Sequence, residues 1–235
     1  VIITFNDARL EIYELKKIFK EICFITIVNG IRFHTWFLDK KRSPQTFKCD
    51  YIFTVNKYYI REYQKIIDSN CIAIGLFRNN LVKIGKTKFH EQFLFISQLH
   101  LITPLGTVNE EKNFKKKLMI NINLYLSKKN QKLHILLRSN KNDLSYKYEV
   151  DFYKKYLNSN CIFYESSNWK KKYEIIDKFE NIIFMYSSMG FEAIARKKKV
   201  AVFSPKKIGS AKYYFGWPKP ELKIYSFFST QNINH

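Results

Sequence analysis

The 235 residues, at 28.3 kDa, allow one large domain or two of about 100–150 residues each. Hydrophobic residues at 46% and aromatic residues at 17% suffice for packed cores and exclude a disordered or collagen-like chain. The net charge of +21 raises nucleic acid or an anionic membrane as a partner, but Lys supplies 34 of the 41 basic residues and Arg only seven. Phosphate and base recognition favours Arg forks. Moreover, Lys, Ile, Asn, Phe and Tyr, all with A/T-rich codons, make up about half the chain. The charge therefore reads as solubility and surface adsorption, and no dedicated nucleic-acid binding is expected.

The chain opens on an apolar run, residues 1–5 (VIITF), which predicts a buried strand. With no initiator Met and no basic-then-apolar leader, the expectation is a truncated N-terminus and no signal peptide. Residues 8–20 carry Ile12, Leu15, Ile18 and Phe19 at helical spacing, and 23–28 (CFITIV) is a second strand, closed by the turn signal Asn29-Gly30. A strand over 51–55, a helix over 57–68 and a strand over 71–76 follow. Residues 77–91 are polar and basic and break the rhythm, so a linker is expected there. The alternation then restarts, with strands over 93–97, 133–137, 161–164, 182–185 and 200–203. Helices are expected over 110–126, 143–157, 168–178 and 190–196. The last thirty residues, aromatic and Pro-rich, are expected to wrap back over the structure. No apolar stretch approaches the ~20 residues that cross a bilayer. Four cysteines without a CxxC pair argue against a zinc site or a disulfide framework.

Strands alternating with helices indicate βαβ units and parallel sheets, so the fold class is α/β with two Rossmann-like domains. The expected boundaries are 1–80 for an incomplete N-terminal domain, 81–91 for the linker and 92–235 for the second domain. Ligands in such sheets bind beyond the carboxyl ends of the strands. There the sharpest signal is the strand running into Tyr186-Ser187-Ser188-Met189-Gly190-Phe191-Glu192. A helix N-terminus favours phosphate, Gly190 would let an anion approach the backbone, and Glu192 could accept from ribose hydroxyls. The plainer reading makes Ser188 an N-cap and Glu192 a complement to the dipole.

Arg138-Ser139-Asn140 follows another strand, as a diphosphate or sugar-carboxylate clamp or as a solvated loop. Asp7, at a strand end, is a general-base candidate or an Asx turn. His34, within an aromatic stretch, is the rival base or a packed core residue. Neither an Asp-x-Asp motif nor a patterned set of His, Cys and carboxylates is present, so no metal is expected. The Lys clusters 115–117, 170–172 and 197–199 read as solvated helix faces, or as peripheral contacts with an anionic membrane. Phe191, Ile194 and Ala195 are expected inward and residues 196–199 outward.

The segment 187–203, SSMGFEAIARKKKVAVF, resembles the donor-site unit of bacterial GT-B glycosyltransferases of surface carbohydrate (O-antigen, capsule, lipopolysaccharide) biosynthesis. Asn29-Gly30-Ile31-Arg32, residues 74–80, Phe95-Ile96-Ser97-Gln98 and Phe215-Gly216-Trp217-Pro218 look similar to the same group. The resemblance implies a nucleotide-sugar donor at Arg138, Ser139, Glu165, Ser166, Ser187, Ser188, Gly190 and Glu192, with Glu165-Ser166-Ser167 toward the base. It implies an acceptor side at Asn29 and Arg32, a glycan or lipid-linked glycan acceptor, no cofactor besides the donor, and a cytoplasmic enzyme, peripheral on the membrane. The sequence departs from the family in lacking a Gly-rich donor loop after 93–97. Two other readings stand beside it: a nucleotide-sugar epimerase of the same fold, and a basic nucleic-acid or anionic-surface binding module.

Overall fold

The computed structural model describes residues 1–9, 11–32, 37, 47–99, 108–165, 167–185 and 187–203. The chain divides into two compact units, Val1–Lys83 and Ile84–His235, and each carries its own parallel sheet. The fold is thus α/β with two Rossmann-like sheets. The expected C-terminal wrap, His34 and Ser166 lie outside the described residues.

The first unit runs β1 (Ile2–Thr4), α1 (Glu11–Ile18), β2 (Phe24–Ile27), β3 (Phe47–Thr54), α2 (Lys57–Gln64), β4 (Ile67–Ala73) and α3 (Phe77–Asn80). Its strands lie in the order β1-β2-β3-β4, all parallel. The core gathers Tyr13 from α1, Tyr59 and Tyr63 from α2, and Phe24, Phe47, Ile52 and Ile67 from the sheet. Asn56 starts α2, its side chain accepting from the Tyr59 N–H at 3.1 Å. The helix stops at Gln64, short of the expected residue 68, and β4 begins at Ile67 rather than at 71. Ile67 aligns with Phe47 and is buried, so sheet pairing and burial outweigh the helical spacing that continues through Ile66 and Ile67.

The second unit runs β5 (Phe89–Ile96), α4 (Val108–Lys128), β6 (Leu133–Leu136), α5 (Ser145–Tyr156), β7 (Cys161–Tyr164), α6 (Trp169–Lys178), β8 (Phe179–Phe184), α7 (Ser188–Ala195) and β9 (Lys199–Val202). The strand order is β7-β6-β5-β8-β9, again all parallel. Central strands covered on both faces need continuous apolar runs. β6 (LHIL) is buried along its whole length and β8 ends in the buried run Ile182-Ile183-Phe184. His134 sits in this interior against the rings of Phe89, Tyr164 and Phe179. Its Nδ1 lies 2.9 Å from the Tyr164 hydroxyl.

The stretch expected to be a plain linker is structured at both ends. It opens on α3, and β5 starts at Phe89, opposite Phe179 in β8 with ring centroids 4.8 Å apart. The Gly85 N–H donates to Asp177 Oδ2 at 2.7 Å, and the Lys88 N–H donates to the Lys178 carbonyl at 2.8 Å. Asp177 is the partner of Arg196, whose Nε and Nη2 donate to Oδ1 and Oδ2 at 2.7 and 2.5 Å. Arg196 also stacks over the Tyr173 ring, 5.2 Å from its centroid. Expected to face outward with the lysines after it, Arg196 is instead 1% exposed. A charge so buried needs a paired or hydrogen-bonded partner, and removing one partner of a buried ion pair costs about 3–5 kcal/mol.

Candidate functional site

Strand numbering in the second sheet ascends outward in both directions from the β5–β8 pair. The order reverses there, and the loops leaving the carboxyl ends of these two strands belong to connections that diverge. Such a switch point is where open α/β sheets hold ligands. Beyond β5 stands Ser97, and beyond β8 stand Ser187 and Ser188.

Ser187, not Ser188, is the N-cap of α7, with φ −70° and ψ 133°. Its carbonyl receives the N–H groups of Gly190 and Phe191 at 3.0 and 3.3 Å, but its hydroxyl makes no capping bond. The side chain that ordinarily closes a helix end is therefore not engaged in closing this one. Gly190 is where α7 packs closely on the end of β8. A Cβ there would overlap Cγ, Cδ1 and Cδ2 of Phe184, the buried last residue of β8. Only a glycine lets α7 lie this close to its strand. Glu192 turns inward as well: it is 6% exposed, and its Oε2 accepts from the Tyr173 hydroxyl on α6. In this arrangement it ties α7 to α6.

The loop after β6 is held by a residue that the sequence reading missed. Glu149 on α5 is fully buried and accepts from the N–H of Arg138 at 3.1 Å and of Ser139 at 2.9 Å. It also accepts from the Ser97 hydroxyl, which lies 2.8 Å from the Tyr153 hydroxyl. Burial, reinforced by the Glu149 charge, pushes the Tyr153 phenol far above its usual range. The ends of β5 and β6 are thus fastened to one carboxylate. The available signal was a glutamate at helical spacing from Phe152 and Tyr153, on what is otherwise an apolar face. Ser139 is buried, its Oγ 2.6 Å from Ser145 Oγ, whereas the Arg138 side chain is exposed. Lys115, expected on a solvated face, is only 4% exposed and donates to the Gln98 carbonyl beyond β5 at 2.8 Å.

Glu165 follows β7, with Oε1 3.0 Å from Lys141 Nζ. Its Oε2, like Asn140 Oδ1, is buried without a hydrogen-bond partner among the described residues. The carboxyl edge of the second sheet therefore gathers Ser97, Arg138, Ser139, Glu165, Ser187 and Ser188, and sends Gly190 and Glu192 into the interior behind it.

Asp7, Asn29 and Arg32 come together in the first unit. The fully buried Asp7 carboxylate accepts from Arg32 Nε at 2.7 Å, from Arg32 Nη2, from the Tyr63 hydroxyl at 2.5 Å and from the Asn29 N–H at 3.3 Å. Burial alone would weaken the Arg32 charge, but the Asp7 bond more than offsets it and the guanidinium is held above its ordinary value. The Tyr63 phenol is pushed far up by burial and by the adjacent carboxylate. Each carboxylate oxygen of Asp7 thus accepts two hydrogen bonds. Among the described residues, no three His, Cys, Asp or Glu side chains are placed to hold a metal ion.

The sequence from residue 25 to residue 233 matches the family described as "putative O-antigen biosynthesis protein". The chain belongs to that family. No curated protein matches it. Among solved structures it is similar to the crystal structure of TarM, with 16% identity and a TM-score of 0.43, over 89% of this chain. The chain spans 40% of the length of that structure. No helix among the described residues is long and apolar enough to cross a membrane.

Proposed function

We propose that this O-antigen biosynthesis family member is a metal-independent glycosyltransferase. It moves a sugar from a nucleotide-sugar to a growing surface polysaccharide or lipopolysaccharide, its two sheets acting in the GT-B manner. The observation that carries this reading is the reversal of strand order at β5–β8, with a helix N-terminus and two serines at that point. Negative charge develops on the departing nucleotide as the glycosidic bond breaks. The α7 N-terminus offers main-chain donors already oriented for it, and the Ser187 hydroxyl and the Arg138 guanidinium are further donors at the same edge. Arg138 is suited to this because its main chain is pinned by Glu149.

The first unit supplies the acceptor side, at Asn29 and Arg32. Asp7, bonded on both oxygens, shapes that side by fixing Arg32, and the base role passes to His34. The acceptor is a glycan or lipid-linked glycan, reached from the cytoplasmic face by peripheral contact of the Lys-rich surface with anionic lipid.

A thermal-shift panel of UDP-, GDP-, dTDP-, CDP- and CMP-sugars tests the reading. A ligand at a hundred times its Kd stabilises by about 2.7 kcal/mol, so one nucleotide class should raise Tm by several degrees. Silence across the panel, with salt-sensitive retention on nucleic acid instead, would replace this reading with the basic binding module. Conversion of the donor with no acceptor present would indicate an epimerase.

A further inference from the structure

The lysine run 115–117 is divided by the fold of α4. Lys115 is buried and donates to the Gln98 carbonyl, and Leu118, Met119, Ile122 and Leu126 share its side of the helix as core residues. With 3.6 residues per turn, the side opposite these carries Lys117, Ile120, Leu124 and Lys128, all exposed. Leu124 is 59% exposed and Ile120 38%. An apolar pair thus points outward at mid-helix, with a lysine about one turn away on either side.

Single exposed apolar residues are ordinary on a protein surface. Here the charge around the pair is of one sign. Residues 112–132, which follow Glu110-Glu111, hold seven lysines and no Asp or Glu. The same lysines cover the tyrosines at the rim. Lys129 Nζ lies 5.5 Å from the Tyr125 ring centroid, and Lys112 and Lys116 lie over Tyr148 and Tyr156 of the neighbouring α5, at 5.8 and 5.7 Å. On α5, exposed Lys154 and Lys155 outweigh the exposed Asp151.

The chemistry of this face selects its occupant. A second copy would set like charge against like charge. A nucleic-acid backbone would match the lysines but leave Ile120 and Leu124 against phosphates. The interface of an anionic bilayer satisfies both: headgroup phosphates meet the lysines, acyl chains beneath them meet the apolar pair, and tyrosines sit at headgroup level.

We propose that the outer face of α4, centred on Ile120 and Leu124 and rimmed by Lys116, Lys117 and Lys128, is the surface on which this chain lies against an anionic lipid bilayer. This rests on the peripheral contact included in the function above and names the face that makes it.

The test is co-sedimentation of the full chain with vesicles of phosphatidylglycerol and phosphatidylcholine in equal parts, and with vesicles of phosphatidylcholine alone. Wild type should bind the anionic vesicles and not the neutral ones. The double variants Ile120→Gln/Leu124→Gln and Lys117→Gln/Lys128→Gln should each weaken binding about ten-fold, with Tm unchanged because these side chains face solvent. Lys170→Gln/Lys171→Gln, with the same loss of charge at the start of α6, should bind as wild type. Equal weakening by both lysine pairs, or full binding by the Ile120→Gln/Leu124→Gln protein, overturns the inference and leaves the peripheral contact standing. A wild type that binds no vesicles overturns both, while the nucleotide-sugar panel decides the donor reading separately. A dimer in sedimentation velocity that Ile120→Gln/Leu124→Gln abolishes, without vesicle binding, overturns the inference in favour of a second copy.

Discussion

Gly190→Ala is the substitution for which the structure fixes the outcome most closely. The new methyl group would overlap three ring carbons of Phe184. Carbon atoms in contact sit about 3.5–4.0 Å apart, so the ring would have to withdraw by more than about 1 Å. It has nowhere to withdraw to. Phe184 is fully buried and packs against Phe191 with centroids 4.9 Å apart, and its backbone is fixed by pairing with Val202 and Ile96. Overpacking of this kind costs about 1–3 kcal/mol and occasionally more. Replacing a helical glycine by alanine returns up to about 1 kcal/mol. The expected net loss is on the order of 2 kcal/mol, measured by equilibrium urea unfolding followed by circular dichroism. Adding Phe184→Leu should relieve part of the loss, a non-additivity of about 1 kcal/mol for side chains in direct contact. A Gly190→Ala protein as stable as wild type would refute the packing argument. The glycine would then be needed only for what approaches α7 from outside.

Ser187→Ala should leave stability within about 0.5 kcal/mol, because the hydroxyl makes no capping bond, while donor affinity falls about ten-fold. Equal losses in both would make it an ordinary cap. Asp7→Asn should lower the unfolding free energy by about 2–3 kcal/mol, somewhat below a fully buried pair because Arg32 keeps partial exposure. Lost transfer activity with unchanged stability would instead make Asp7 the base. Burial holds the His134 imidazole below its ordinary value of 6.5, so the folded protein resists a proton that the unfolded chain accepts. Stability should therefore fall as pH drops below 6.5 and through the folded value. Against His134→Phe, the wild-type Tm should decline more steeply from about pH 7 to about pH 5, and parallel curves would refute this.

Periodicity by itself determined the alternation of strands and helices. Burial on both faces of a parallel sheet demands continuous apolar runs, and those are visible in residues 23–28, 93–97 and 182–185. It also placed Ser187, Ser188, Arg138 and Glu165 after strands, because the residue following an apolar run is fixed by the run. The resemblance of residues 187–203 agrees with the family to which the chain belongs. Boundaries set by partners were not legible. The start of β4 at Ile67 is decided by Phe47, and the start of β5 at Phe89 by Phe179, each far away in sequence. The destinations of charged side chains were not legible either. Glu149, Glu192, Lys115 and Arg196 resemble surface residues in composition, yet each is buried against a partner supplied by another element. Only tertiary structure decides this, because a buried charge is tolerable solely where a distant segment brings its counterpart, and one sequence window contains half of each such pair.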